Sequence, residues 1–241
     1  MYFGSAMTQM DIILPAYNPL PGWEDVVIKR FLSLEKQLPD IQLQLIIVND
    51  GSSTIDESVS VGSLKKNIKH FHWISYPQNK GKGYALRKGV NVSNSRYIIY
   101  TDIDWPYTER SMTGMANLLM GDADVVVGVR EMHYYENLPS IRRLISKMLR
   151  TINAGILRLK VNDTQAGLKG FRENIKTIFL QTTINRYLFD LEFIYLISKR
   201  QLNVVPFPVE LSEGVKFSRM NYRVLWHEAR NFLKIWMRGG H

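Results

Sequence analysis

Leu43-Gln44-Leu45-Ile46-Ile47-Val48 is an apolar run that leads directly into Asn49-Asp50-Gly51-Ser52-Ser53. A run of this length that ends in turn residues predicts a buried β-strand, because the strands of a parallel sheet are covered on both faces. A similar run, Ile12 to Leu14, ends at Pro15. Between the two runs, apolar residues recur at the three- to four-residue spacing of a helix. These residues are Val26, Val27, Phe31, Leu34 and Leu38. The stretch therefore predicts one β-α-β unit.

The same alternation continues along the chain. Helices are predicted over 55–66, 83–92, 174–180 and 189–199, and strands over 70–76, 97–101, 125–129 and 203–209. Alternating strands and helices predict a mostly parallel sheet, which binds ligands beyond the carboxyl ends of its strands. Polar residues directly follow three of the predicted strands. They are Asn18, Asp50, Asp102 and Asp104.

Composition limits the class of protein. The 241 residues suffice for one α/β domain, and the absence of cysteine excludes disulfides and thiolate metal sites. Thirty-one Lys and Arg against 22 Asp and Glu give a net charge of +9, which favours polyanionic partners. No apolar run approaches the roughly 20 residues of a membrane-spanning helix, and residues 1–6 lack the features of a secretory signal. We therefore expect a cytoplasmic protein that does not span a bilayer.

Asp102-Ile103-Asp104 follows the strand predicted over 97–101. Continued extension would point both carboxylates the same way. Mg²⁺ or Mn²⁺ that bridges a diphosphate is held by hard oxygen ligands and keeps open coordination positions for water and phosphate. The alternative for an isolated Asp-x-Asp is a pair of solvated turn carboxylates.

Two glycine-containing turns also suit a nucleotide. The Asp50 carboxylate could accept hydrogen bonds from a nucleobase while Gly51 permits close backbone approach, although Asp-Gly is also a common turn. Gly81-Lys82-Gly83 places a cation ahead of a predicted helix, a combination suited to phosphate. A solvated loop lysine is the alternative.

Five motifs, in this order, resemble family 2 glycosyltransferases. They are Leu14-Pro15-Ala16-Tyr17-Asn18, Val48-Asn49-Asp50-Gly51-Ser52-Ser53, Asn79-Lys80-Gly81-Lys82-Gly83, Asp102-Ile103-Asp104 and Asp163-Thr164-Gln165-Ala166-Gly167. Over residues 11–219 the chain is most similar to the dolichyl- or polyprenyl-phosphate hexosyltransferases. The resemblance implies a GT-A catalytic domain over residues 7–221. That fold is a Rossmann-like, three-layer α/β/α arrangement with a mostly parallel central sheet.

The resemblance also implies ligands and residue roles. The donor is a nucleotide diphosphate sugar, with UDP favoured over GDP, and the cofactor is Mg²⁺ or Mn²⁺ on Asp102 and Asp104. Several residues would bind the nucleotide: Pro15, Ala16, Tyr17, Asn18, Asp50, Gly51 and Lys82. The residues implied on the acceptor side or in shaping the active site are Arg130, Asp163, Gln165 and Asp190.

The chain departs from the family pattern at three places. Pro19 replaces the acidic residue that usually follows the first Asn, and Asn49 replaces the first of two aspartates, whereas Asp50 is kept. The family's late Ser-Lys element is matched only loosely by residues 213–219, so either Lys216 or Arg219 could take its role in substrate binding.

The acceptor has two alternatives. A lipid phosphate is already anionic and needs no strong general base, so an inverting transfer needs only positioning and charge neutralisation. Arg130, with Arg142 and Arg143 in the basic segment 139–160, would then bind the acceptor phosphate. A saccharide hydroxyl would instead require a carboxylate such as Asp163 or Asp190 to take its proton.

The last segment, 222–241, is predicted to form an amphipathic helix that combines apolar and basic residues with Trp226 and Trp236. Such a helix either packs on the domain or lies on an anionic membrane surface, which would make the protein peripheral.

Two other classes of protein are alternatives to a glycosyltransferase. A nucleotidyltransferase would carry a glycine-rich basic loop at the place of Tyr17-Asn18-Pro19. The hypothesis of a nucleic-acid-binding module is supported only by the net charge of +9. We therefore expect no nucleic-acid partner.

Overall fold

A mixed β-sheet forms the centre of the fold in the computed structural model, which describes residues 7–130, 166–186 and 188–212. Seven strands are present within those ranges. They are β1 (Thr8–Ala16), β2 (Ile41–Asp50), β3 (Phe71–Tyr76), β4 (Tyr97–Tyr100), β5 (Val125–Arg130), β6 (Lys169–Arg172) and β7 (Val204–Val209). Their order across the sheet is β3-β2-β1-β4-β6-β5-β7. Every strand runs parallel except β6, which pairs antiparallel with both β4 and β5.

Helices cover both faces of this sheet. They are α1 (Trp23–Gln37), α2 (Glu57–Asn67), α3 (Lys82–Val92), α4 (Glu109–Met120), α5 (Lys176–Leu180) and α6 (Phe189–Ser198), with a 3₁₀ turn at Glu173–Ile175. Two of them begin at side-chain caps, because Asp56 accepts from the Ser58 and Val59 amides and Thr108 accepts from the Ser111 amide. Such caps satisfy backbone donors that have no partner inside the helix.

The two faces of the sheet bury separate apolar clusters. One cluster joins β1 and β2 to α1, α2 and α4 through residues such as Phe31, Leu64 and Met112. The other joins the opposite sheet face to α3, α5 and α6 through residues such as Leu86, Phe179 and Phe193. The predicted three-layer α/β/α architecture with a mostly parallel sheet is confirmed. Within the described residues, no helix is both long enough and apolar enough to cross a membrane.

The predicted elements within the described ranges are all present, with ends shifted by a few residues. Two further elements escaped prediction. The prediction missed α4 although its buried residues Met112, Met115, Ala116 and Leu119 follow the i, i+3, i+4, i+7 spacing of an amphipathic helix. β6 has only four residues and contains Lys169 and Gly170, which favour strands poorly. The predicted basic helices of 139–160 and the helix of 222–241 lie outside the described residues.

Candidate active site

The carboxyl edge of the sheet gathers the residues that the sequence singled out. Asn18 follows β1, Asp50 is the last residue of β2, and Asp102 follows β4 by two residues. Because these three strands are parallel neighbours, their ends meet at one edge. Arg130, the last residue of β5, projects at the same edge, because β5 runs parallel to β4 across the antiparallel β6.

The Asp-x-Asp segment is a tight turn, so the continued extension that would point both carboxylates the same way does not occur. The Trp105 amide donates to the Asp102 carbonyl at 3.0 Å, and Trp105 has a φ of 46°, in the left-handed region. Such a conformation is costly for a bulky residue and persists where packing enforces it. The Trp105 side chain is only 1% exposed and packs in the cluster of α1 and α4. Core packing of Trp105 therefore fixes the backbone of the turn that carries the two carboxylates.

Lys82, the first residue of α3, forms an ion pair with Asp102. Its side chain is 18% exposed and that of Asp102 is 40% exposed. Burial by itself would lower the pKa of Lys82, but the charges of Asp102 and Asp190 outweigh that effect and raise it. Lys82 is therefore charged at neutral pH and lies against the predicted metal ligands.

Asp104 completes the turn. Its side chain borders solvent, yet loss of hydration at the cleft, followed by the negative charge of Asp102, raises the pKa of its carboxyl. A cation between the two carboxylates would relieve the repulsion that Asp102 exerts on Asp104. The described residues contain no group of three or more His, Asp or Glu side chains arranged for a metal. Two carboxylates supply only part of the coordination that Mg²⁺ or Mn²⁺ takes, and water or phosphate oxygens suit the remaining positions.

The amino end of α3 differs from the predicted phosphate site. The amide of Gly83 donates to the Asn185 carbonyl at 2.7 Å, and the amide of Tyr84 donates to it at 3.4 Å. Glu192 keeps this neighbouring loop in place, since its carboxylate accepts from the amides of Thr183 and Ile184, both at 2.8 Å. These helix amides already have partners, so an anion at this end of α3 would be bound mainly by the Lys82 ammonium.

Asp50 binds its own chain. Its carboxylate accepts from the Lys80 amide at 2.7 Å, the Gly81 amide at 2.8 Å and the Asn79 side chain at 2.8 Å. The residue is 2% exposed. A Cβ on Gly51 would lie 2.5 Å from the Asn79 backbone nitrogen, so only a glycine allows the backbone at Asn79 to approach this closely. Asp50 and Gly51 thus dock the loop that leads into Lys82. The predicted base contact of Asp50 stays a prediction.

Four of the residues predicted to bind the nucleotide lie at the end of β1 and directly after it. Pro15 and Ala16 are buried in β1, whereas Tyr17 is 53% exposed at the sheet edge. Asn18 has a φ of 46° and ties two loops together, since its amide donates to Ser52 Oγ at 3.0 Å and its side-chain oxygen accepts from the Ser53 amide at 2.9 Å. These hydrogen bonds connect the two loops beside Tyr17, whose ring is exposed at the sheet edge.

A buried charged network lies beneath the turn. Lys169 is fully buried; its Nζ lies 3.0 Å from Asp190 Oδ1 and donates to the Ala166 carbonyl at 2.6 Å. The Tyr100 hydroxyl donates to the same Asp190 oxygen at 2.7 Å. Burial, reinforced by the charge of Asp190, raises the pKa of Tyr100 well above its usual value, so Tyr100 is the neutral donor of the network.

This network supports the segment that faces Asp102. Gly167 lies so close to the Asp102 carboxylate that a Cβ there would clash with Oδ2. The Gly167 amide donates to the Tyr107 hydroxyl at 2.8 Å. The prediction included Asp190 and missed Lys169, Tyr100 and Tyr107. The only available signal for Lys169 was that it is the one charged residue between Ala166 and Phe171, because a charged residue that becomes buried almost always has a partner.

Several predicted site residues lie outside the described part of the chain. They are Arg142, Arg143, Asp163, Gln165, Lys216 and Arg219. The described residues closest to them in sequence are Arg130, which ends β5, Ala166, whose carbonyl is bonded to Lys169, and Ser212. The roles predicted for the six residues stay predictions.

Solved structures share this fold. The mannosyltransferase PcManGT from Pyrobaculum calidifontis, determined in complex with GDP-Man and Mn²⁺, has a TM-score of 0.62 and 14% identity, covering 95% of this chain and 63% of that one. TarS from S. aureus, residues 1–349, has a TM-score of 0.54 at 13% identity, covering 83% of this chain and 58% of that one. The fold is of the GT-A type that the sequence predicted.

Sequence relatives agree with the fold. Dolichyl-phosphate beta-glucosyltransferase of Dictyostelium discoideum is 28% identical over 219 residues, which are 85% of this chain and 66% of the relative. The Drosophila melanogaster protein of the same name is 25% identical over 250 residues, covering 97% of this chain and 76% of the relative. The model of the family described as Glycosyl transferase family 2 matches residues 11–179, well over half of the sequence. The chain therefore belongs to glycosyl transferase family 2.

Proposed function

We propose that this glycosyltransferase moves a hexose from a nucleotide diphosphate sugar to a polyprenyl or dolichyl phosphate, with inversion at the anomeric carbon. UDP-glucose is the favoured donor, because the relatives are named dolichyl-phosphate beta-glucosyltransferases. The observation that carries the proposal is the Asp102–Asp104 turn with Lys82 against it at the carboxyl edge of a GT-A sheet. That arrangement suits a metal-bound diphosphate.

On the donor side, the chain positions a leaving diphosphate. Asp102 and Asp104 would hold Mg²⁺ or Mn²⁺, which neutralises the charge that develops as the sugar–phosphate bond breaks. Lys82 lies within reach of the same anion and adds a fixed positive charge. Tyr17 offers an exposed ring to the nucleoside, beside the loops that Asn18 and Asp50 hold in place. Preorganised charge of this kind is usually the largest contribution to catalysis.

On the acceptor side, a phosphate oxygen would attack the anomeric carbon opposite the leaving diphosphate. The nucleophile is already an anion, so no proton has to be removed. Arg130 lies at the same edge of the sheet as Asp102 and is proposed to bind the acceptor phosphate together with Arg142 and Arg143. Asp190 is paired with Lys169 and Tyr100, which supports a positioning role over that of a general base.

The first experiment incubates the protein with UDP-glucose or GDP-mannose, Mn²⁺ and a short polyprenyl phosphate, and follows the glycolipid product. We expect transfer from UDP-glucose to the lipid phosphate and loss of transfer when the metal is chelated. Transfer only to free sugars would reject the lipid acceptor. A preference for GDP-mannose would reject the favoured donor.

Matched variants separate the metal ligands from general surface charge. Asp102→Asn or Asp104→Asn should lower kcat/KM by roughly 100-fold or more, because a bound metal supplies several kcal/mol in the transition state. The control is Asp122→Asn at an exposed turn, which should retain wild-type activity. Equal activity in all three variants would argue against a metal at the Asp102–Asp104 turn.

A further inference from the structure

The Lys82–Asp102 ion pair occupies a carboxylate that the proposed metal needs. Lys82 Nζ pairs with Asp102 Oδ1, and Gly167 closes on the other carboxylate oxygen, Oδ2. A divalent cation that joins Asp102 must therefore displace the ammonium or bind beside it. Two positive centres on one carboxylate repel each other at short range.

The position of Lys82 in α3 is unfavourable for reasons of local structure. Lys82 is the first residue of the helix, where the helix dipole favours negative charge, and the first turn of α3 contains no acidic residue. Its ammonium is instead stabilised across the fold by Asp102, with further contributions from Asp190 and Asp104. A lysine in this position gains when another anion reaches it, and a diphosphate is such an anion.

We infer that Lys82 is paired with Asp102 in the nucleotide-free protein and pairs with the diphosphate once a nucleotide binds. Divalent-cation binding at Asp102 therefore depends on the diphosphate. This inference rests on the proposed function, since it assumes a divalent ion at Asp102. It assigns Lys82 two successive partners. The cation alone binds weakly because the carboxylate is engaged, and the cation with diphosphate binds strongly because the ammonium has a new anion. Metal and nucleotide are thereby coupled more tightly than by direct bridging alone.

The test measures Mn²⁺ affinity and UDP affinity separately in Lys82→Met. Free Mn²⁺ is followed by its electron paramagnetic resonance signal during titration of the metal-free protein without nucleotide. UDP binding is measured by calorimetry at saturating Mn²⁺, corrected for Mn²⁺ bound by UDP in buffer. We expect Mn²⁺ alone to bind roughly tenfold tighter and UDP roughly tenfold weaker, because one unit charge is removed beside each ligand. General damage to the site would weaken both.

Two variants serve as controls. Lys80→Met removes the same charge from the same loop, but the Lys80 ammonium lies over the Tyr84 ring, 4.8 Å from its centroid, so Mn²⁺ affinity should stay unchanged. Lys82→Arg keeps a cation and should stay close to wild type in Mn²⁺ affinity. If Lys82→Met does not fold, Lys82→Gln removes the charge and keeps a polar group.

The outcomes separate this inference from the proposed function. Unchanged or weaker Mn²⁺ binding in Lys82→Met, or unchanged UDP binding, would overturn the role of Lys82 while a wild-type protein active with Mn²⁺ still supports the proposed function. A wild-type protein that binds no Mn²⁺ with or without UDP and transfers no sugar would overturn both. Opposite shifts in the two affinities would support the exchange of partners.

Discussion

Lys169 joins three parts of the active site. Its ammonium, fully buried, meets the Asp190 carboxylate, the Ala166 carbonyl and the face of the Tyr100 ring, with Nζ 6.0 Å from the ring centroid. Asp190 lies in the first turn of α6, and Ala166 precedes the glycine that lies against Asp102. A buried ion pair adds little net stability by itself, but the loss of one partner leaves an uncompensated charge. Lys169 therefore positions the segment around Gly167 without contacting the reacting groups directly.

Removal of Lys169 should destabilise the whole domain. We expect Lys169→Met to lower the free energy of unfolding by about 3–5 kcal/mol, because the Asp190 carboxylate would stay buried without its cation. Asp190→Asn in the same chain should recover much of that loss, since the amide carries no charge and still accepts from Tyr100. Urea unfolding of the two variants and of wild type measures both effects. Lys88→Met, at an exposed site on α3, is the matched control and should stay within about 0.5 kcal/mol.

If the double variant proves less stable than Lys169→Met alone, the unpaired charge of Asp190 is not the cause of the instability of Lys169→Met. The kinetic readout is separate. A positioning role predicts that the double variant, once folded, has a reduced kcat for transfer, because the segment around Gly167 loses its anchor. A merely structural role would leave kcat unchanged and affect stability alone.

At the scale of elements, glycines decide how closely the helices can pack on the sheet. Gly89 in α3 faces β1 and β2, where an added Cβ would lie 2.5 Å from Ile13 Cγ2 and 3.3 Å from Val48 Cγ2. Gly62 in α2 has no neighbour within 4 Å of such an atom. The two glycines belong to helices of the same length, 11 residues, yet one is buried and the other is exposed.

The same substitution should therefore have opposite effects in the two helices. We expect Gly62→Ala to stabilise the protein by about 1 kcal/mol, because alanine has the higher helix propensity and meets no neighbour. Gly89→Ala should destabilise it by about 1–3 kcal/mol, since the methyl group overpacks the contact between α3 and the sheet. Thermal unfolding of both variants gives the comparison. A stabilising Gly89→Ala would mean that α3 can move away from β1 at little cost.

At the scale of the whole molecule, the net charge of +9 bears on the proposed lipid acceptor. A positive protein is attracted to the anionic surface of a membrane, and salt screens that attraction. The basic segment 139–160 and the segment 222–241, which lie outside the described residues, supply many of these charges and stay the predicted contact regions.

Vesicle binding tests this expectation. We expect the protein to sediment with phosphatidylserine-containing vesicles at about 50 mM salt and to be released at about 500 mM, where the screening length is only a few ångströms. Pure phosphatidylcholine vesicles are the control and should bind less. Arg142→Gln with Arg143→Gln should weaken the binding if this segment contacts the lipid. Equal binding to both vesicle types at both salt concentrations would contradict an electrostatic contact.

Much of the fold was predictable because its signals are local. The continuous apolar runs that became β1 and β2, and the turn residues that close them, specify buried parallel strands within a short window. β6 escaped because a four-residue strand with Lys169 carries a weak local signal. α4 does carry a local signal, the helical spacing of Met112, Met115, Ala116 and Leu119, which the prediction overlooked. The parallel pattern also predicted that Asn18, Asp50 and Asp102 lie at the carboxyl edge, and the structure places these residues there. Their roles in a site stay predictions.

By itself, the sequence determined the α/β class, the family and the position of the Asp102–Asp104 pair, since these depend on short motifs and their order. The tertiary structure alone decided which groups pair there: Lys82 with Asp102, Lys169 with Asp190, and Asp50 with the amides of Lys80 and Gly81. The physical reason is that an ion pair or a buried hydrogen bond requires two groups at short distance in a poorly hydrated place. That distance is set only when strands and helices remote in the chain pack together.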